Sequence, residues 1–318
     1  MKQATTVSFV LLVACGGACG PGRQAAWEST TTPAAKAAAK PPHAKIDAES
    51  DVDVDTGATA GQSRQEQLAE AERWWAKRQS RPALEKAIAI WDILSDADDV
   101  PAPLLAQLAR AYYLYADNFL RLAGEEQPML AAFEQGVRCG ERAMMAASAA
   151  FAQKMREGAR VEEAVALIPA TGLPAVYWYA TNLGKFALAK GFATTLFYKD
   201  RIASVMQWVL NTDERFFYGA PHRYFGAFYA KAPAFAGGDL AKSKEHFERA
   251  LQLSPEYLGT KVVYAEFYAV KADDRQLFTR LLQNVQAADA NALPELVPEQ
   301  RLEQEKAQHL LGKIDELF

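Results

Sequence analysis

The sequence predicts an all-α domain of irregular tetratricopeptide-like helical hairpins, about four to five of them, closed by a C-terminal capping helix. Three observations carry this expectation. From Gln62 onward apolar residues recur at three- and four-residue spacing, with no convincing alternating stretch that would mark a strand. Turns rich in Pro, Gly and Asp interrupt that periodicity at intervals suited to single helices. Small residues preceded by large ones and followed by aromatics recur in successive segments, a pattern that lets one helix nest on the next.

The first residues, MKQATTVSFVLLVAC, place one Lys before an apolar run from Val7 to Ala14. That run is far short of the roughly 20 residues a membrane-spanning helix needs, but it has the size of a signal-peptide core. Leu12-Val13-Ala14-Cys15 has the form of a lipobox, so residues 1–14 are expected to be removed and Cys15 acylated as the mature N-terminus. Cys19 is the alternative lipid site, although Gly16-Gly17-Ala18 supplies no aliphatic residue at −3; the reading set against both is an ordinary secretory signal with incidental cysteines. No later segment approaches a membrane span, so contact with the membrane is expected through the lipid alone.

Residues 15–61 read as a disordered tether rich in Ala, Pro, Thr and Asp (TTTPAAKAAAKPPHAK, then IDAESDVDVDTGATAG), too poor in large apolar residues to build a core. About forty such residues span roughly 35 Å on average as a coil. Asp51, Asp53 and Asp55 imitate the start of a calcium loop, but the sixth position is Thr56 instead of Gly and the twelfth is Gln62 instead of Glu. The run reads as a solvated acidic segment.

Residues 62–318 form the helical domain. Leu105, Leu108, Ala109 and Tyr112 give the first-helix pattern, repeated by Leu183-Gly184, by Phe225-Gly226 with Tyr229, and by Tyr264-Ala265 with Tyr268. The small residues 109, 184, 226 and 265 are separated by 75, 42 and 39 positions, against a usual period of about 34. The first gap therefore holds two units and an irregular insertion near Ala150 to Gly172. Second helices carry Ala87, Trp91 and Leu94, and later Ser243, Phe247 and Ala250. The bend from Lys231 to Asp239 is too long for nesting alone; Gly237-Gly238 permits positive φ and Asp239 is placed to cap the helix beginning near Leu240. The last helix surrounds Leu302, Leu310 and Leu311 with Glu299, Arg301, Glu303, Glu305 and Lys306, as a cap with one wet face does.

Charge and motif content narrow the function. Lys and Arg total 35 against 39 Asp and Glu, a formal charge of −4, which gives no basic excess for nucleic acid. The four histidines, His43, His222, His246 and His309, have no second ligand at metal spacing, and no nucleophile elbow, phosphate loop or Cys-x-x-Cys occurs. No catalysis, metal or cofactor is expected, and His246 reads as part of a solvated face. Cys139, in FEQGVRCGERAMM, reads as a buried structural thiol.

The stretch FFYGAPHRYFGAFYAKAPAFAGGDLAKSKEHFERALQLSPEYLGTKVVYAEFYAV, with PAVYWYATNLGKFALAKG and the tail VPEQRLEQEKAQHLLGKIDELF, resembles the TatT family, the tetratricopeptide-like lipoprotein component associated with TRAP (tripartite ATP-independent periplasmic) transporters. The likeness covers roughly residues 66–318 and is most specific in the Pro-x-x-x-Gly-Gly-Asp loop at 233–239; it departs at Ala232, where Leu is expected, and at Gln300, where Asn is. It implies a periplasmic, homo-oligomeric accessory protein that works with a solute-binding protein and handles its ligand.

Of 34 aromatic residues, 16 fall between Tyr177 and Phe235. Most are expected in the core, but Trp178, Thr181, Lys185, Arg223 and Glu266, with Arg110 and Tyr113 from an earlier hairpin, fall where such repeats turn inward and are the candidate cleft. Lys185 and Arg223 are the candidate pair for the carboxylate of an organic acid, the alternative ligand being purely hydrophobic. Pro233, Gly237, Gly238 and Asp239 are the candidate partner loop. A different class of function, an envelope scaffold that takes a peptide or assembly partner in its repeat groove, fits the same fold.

Overall fold

A computed structural model describes residues 23–28 and 63–318, and among the described residues there is no strand. The helices are α1 (Arg64–Trp75), α2 (Arg81–Ser95), α3 (Ala102–Tyr115), α4 (Glu126–Ala147), α5 (Ala149–Arg156), α6 (Val161–Ala164), α7 (Leu173–Lys190), α8 (Phe192–Thr212), α9 (Phe216–Lys231), α10 (Leu240–Leu253), α11 (Leu258–Val263), α12 (Arg275–Ala287), α13 (Val297–Gly312) and α14 (Ile314–Leu317). Helix α3 runs on into a π-helical stretch, Ala116–Leu120, and α11 into another, Tyr264–Ala269. Local chemistry sets several boundaries. Ser63 and Glu66 cap α1 reciprocally, Gly124 at φ 74 stops the α3 segment, and Asp274 accepts from the Leu277 amide at the start of α12.

Neighbours in sequence pack on one another through α1–α2, α3–α4, α7–α8, α9–α10 and α11–α12, while α4 also lies along α7. Close approach of α4 to α7 is bought by Gly136 and Gly140, four residues apart on one face of α4. A Cβ on Gly140 would sit 2.7 Å from the Tyr179 Cα, and one on Gly136 would collide with the Asn182 amide. Asn182 in turn donates to the carbonyls of Ala109 (3.0 Å) and Trp178 (2.8 Å), tying α3 to α7 at the predicted nesting residue. Gly226 nests as its pattern predicts, since a Cβ there would lie 2.8 Å from the Phe247 ring, and Ser243 donates to its carbonyl at 2.7 Å. Gly184 does not: a Cβ there meets nothing within 4 Å, because that side of α7 faces a cavity instead of a helix.

Two further expectations are corrected. Helix α13 does have a wet face at Arg301, Glu305 and Gln308, but Glu299, Glu303 and Lys306 are buried. Two of them meet charges from distant helices, Glu299 accepting from Arg78 (2.6 Å) and Arg110 (2.6 Å) and Lys306 donating to Asp117 (3.1 Å), while Glu303 pairs with Lys306 within α13 (2.6 Å). Helix α13 is thus an internal strut joining the last helices to the first, rather than an end cap. The second correction concerns the tether, in which Arg23–Glu28 packs on α4 and α5 and buries Trp27, a large apolar residue the composition of the region had masked. Cys15, Cys19, His43, Asp51, Asp53 and Asp55 lie outside the described residues. Cys139 is free and buried, and burial pushes its thiol pKa up.

The glycine contacts make a paired prediction. Gly140→Val is expected to destabilise the chain by about 1–3 kcal/mol, since the α4–α7 backbones must part. Gly184→Ala is expected to be neutral or to stabilise by up to about 1 kcal/mol through helix propensity. Urea unfolding followed by circular dichroism separates the two.

Candidate functional site

Gly191, at φ 106, ends α7 and lets α8 return beside it. Between α7, α8, α9 and the π-helical stretch after α11 the chain leaves a cavity of about 340 Å³. Its walls are mostly apolar: Tyr177, Leu188, Ile202, Tyr224, Phe228 and Phe267 take part. Among the described residues, the charged groups that line it are all cations, Lys185, Lys199, Arg223 and Lys231, with no carboxylate among them. Phe192, 60% exposed, sits at the mouth and meets the ring of Phe235, 80% exposed, at 6.5 Å.

The long bend is the rim of this cavity. Ala232, Pro233 and Ala236 line it, Gly237 adopts φ 96, and Gly238 presses on the Ala232 carbonyl so closely that a Cβ would lie 1.8 Å from its oxygen. Asp239 accepts from the amides of Ala241 (3.0 Å) and Lys242 (3.1 Å), capping α10, while its own amide donates to the Tyr229 carbonyl at 2.9 Å. A fixed rim results, with Phe235 held outward.

Four of the seven predicted cleft residues meet at the cavity: Tyr113, Thr181, Lys185 and Arg223. The other three do not. Arg110 lies over Trp75 and Phe217 while paired with Glu299, Trp178 is buried in the core, and Glu266 accepts from Arg121 at 3.0 Å. Sequence reading missed Lys199, Lys231, Phe192 and Phe267. On an all-helical pattern an exposed aromatic such as Phe192 reads like a core one, and only the helix rotation distinguishes them.

The two predicted carboxylate partners line one cavity, but both have other work. Lys185 donates to Asp117 at 2.7 Å. Arg223 donates to the carbonyls of Tyr218 and of Phe217 (2.8 Å) and lies 4.3 Å over the Tyr257 ring. Those carbonyls belong to a left-handed turn, Phe217 (φ 41), Tyr218 (φ 61) and Gly219 (φ 73), that bulky L-residues adopt only when their surroundings impose it. Arg223 therefore pins a strained entry to α9, with Tyr218 stacked on Tyr257 at 5.3 Å.

Asp117, 2% exposed on the π-helical stretch after α3, is the buried hub beneath Lys185. Burial pushes its pKa up, but Lys185, then Arg121 and Lys306, outweigh that and hold it well below the usual carboxylate range. Lys306 also bonds Glu303 at 2.6 Å.

His246, expected on a solvated face, meets a second histidine instead. His222 on α9 and His246 on α10 share a hydrogen bond between their Nδ1 atoms (2.9 Å), and His222 Nε2 faces Glu214 at 3.2 Å. His246 stacks among Phe225 and Tyr229, and burial, with His222 beside it, pushes its pKa down to about 4. Among the described residues no group of three His, Cys, Asp or Glu is placed to hold a metal.

A helical domain with an apolar cavity ringed by cations is a binding module in class. The chain belongs to the TRAP transporter T-component family, whose model matches residues 80–318. It is accordingly an accessory component of a TRAP transporter, working at the cell envelope. A search among curated proteins finds no match. No described helix is long and apolar enough to cross a membrane.

Two stability predictions follow from the buried charges. Asp117→Asn is expected to cost about 3–5 kcal/mol by leaving Lys185 and Lys306 short of a counter-charge, measured by denaturant unfolding at neutral pH. The His246 pKa lies below its unfolded value, so the unfolded chain binds the proton first: stability is full above about pH 6.5 and falls as pH drops towards about 4. His246→Gln should flatten that part of the pH profile.

Proposed function

We propose that the protein is a periplasmic, lipid-anchored accessory component that docks the solute-binding protein of a TRAP transporter and holds a small organic ligand in the cavity between α7, α8 and α9. The observation that carries this reading is the cavity's composition: apolar walls with Lys185, Lys199, Arg223 and Lys231 and no carboxylate, a lining suited to an acid with an apolar body. Of the four cations, Lys231 has no ion pair among the described residues, while Lys185 and Lys199 are paired with Asp117 and Asp200. Lys231 is therefore the side chain best placed to meet an incoming carboxylate, with Lys185 and Arg223 behind it. The rim of Pro233, Gly237, Gly238 and Asp239, which carries the exposed Phe235, is the surface offered to the partner protein, and the working unit is a homo-oligomer. The role is binding, without catalysis.

A peptide scaffold finds less support, because α13 already lies inside the domain with its charges paired to α3 and to Arg78. The proposal is tested by native mass spectrometry of the full chain with and without medium-chain carboxylates. The wild type is expected to retain an acid of that class, and Gly184→Trp, which points a large side chain into the cavity without meeting another atom at Cβ, is expected to abolish retention while leaving the helical spectrum unchanged. Equal retention by both proteins overturns the cavity as the site. Lys231→Gln should weaken an acid more than its uncharged alcohol, by about tenfold for a desolvated pair.

A further inference from the structure

We propose that Arg23–Glu28 is a clasp that converts the long N-terminal leader into a short leash, holding the face built from α4, α5 and α8 against the lipid surface. The inference rests on the lipid-anchor reading given above, but its first observation stands without it. Glu141 on α4 is a carboxylate only 1% exposed. Both of its hydrogen bonds among the described residues come from the clasp, one from the Arg23 guanidinium and one from the Ala26 amide at 2.8 Å. The segment itself covers Glu141 and supplies the hydrogen bonds that a buried carboxylate needs, so the two surfaces fit as plug and socket.

The rest of the socket agrees. The Trp27 ring is buried between Phe151 of α5 and Tyr179 of α7, each with its centroid at 6.1 Å. The Arg23 amide donates to the Tyr198 hydroxyl of α8 at 2.9 Å, and Arg23 Nε lies 3.7 Å from Glu134. Phe151 belongs to the irregular insertion between α4 and α7, the part of the chain that no repeat explains, and seating Trp27 gives that insertion a purpose.

Chain length turns the clasp into a leash. From Cys15 to Ser63 there are 48 residues, which extend to about 170 Å at most. From Cys15 to Arg23 there are eight, which reach about 29 Å, and from Cys19 only four, about 14 Å. With the clasp seated, the point of attachment to the domain moves from Ser63 to Arg23, and an acylated cysteine at either position brings the α4–α5–α8 face to the headgroups. The orientation of the cavity relative to the membrane is then restricted instead of free.

The test uses the full acylated chain bound to phosphatidylglycerol and phosphatidylethanolamine vesicles, compared with the Arg23→Ala/Trp27→Ala chain. A donor dye is placed at Lys154→Cys on α5, with Cys19→Ser where Cys15 carries the lipid, and an acceptor in the headgroups; buried Cys139 stays unlabelled. Energy transfer is expected to fall at least about twofold in the double variant, and the Ala26 amide of the native chain, read by hydrogen exchange, is expected to exchange at least about tenfold more slowly than in the variant. An unprotected Ala26 amide overturns the clasp. A protected amide with unchanged energy transfer overturns the leash. A chain that fails to float with vesicles sinks the anchor reading and the leash together, while the exchange result still decides whether the clasp is seated.

Discussion

The arrangement depends on one buried carboxylate. Asp117 has no access to water, and burying it alone is prohibitively costly, so its partners are drawn from three separate parts of the chain: Arg121 from its own helix, Lys185 from α7 and Lys306 from α13. Glu266 and Glu303 balance the cations, pairing with Arg121 and Lys306, which leaves three acids against three bases. Because these charges have no other way to be satisfied, their geometry fixes the register of α13 against the early helices. The same requirement places Lys185 at the wall of the cavity.

A second constraint acts on the opposite wall. The left-handed turn at Phe217 to Gly219 is held by Arg223, by Arg110 over Phe217, and by the stacked pair of Tyr218 and Tyr257. It reverses the chain between α8 and α9 abruptly enough for both helices to face α7 across the cavity. The two cations that look most available for a ligand in the sequence, Lys185 and Arg223, are therefore held by the scaffold first, and Lys199 and Lys231 complete the ring. This lining is the support for the proposal that the cavity handles a ligand in a T-component protein.

Cavity and clasp lie on different sides of α7 and share its residues: Tyr179 supports Trp27, while Lys185 and Thr181 face the cavity. One helix thus connects the N-terminal segment to the site, and its orientation is set by Gly136 and Gly140, which let α4 lie against Tyr179.

The sequence alone determined the all-helical class, the family and the capped rim at Pro233 to Asp239, since periodicity, turn residues and a cap are local properties, written in adjacent residues. Gly226 against Phe247 and Tyr113, Thr181, Lys185 and Arg223 at one cavity were also legible, because hairpin spacing predicts which helix faces turn inward. Tertiary structure decided the rest. Glu299 and Lys306 look like part of a solvated face until distant partners make burial possible, and His222 meets His246 only through the packing of α9 on α10. Gly184 has the same local pattern as Gly226, yet one opens a cavity and the other closes a contact. Which occurs depends on what lies opposite, and no local pattern carries that information.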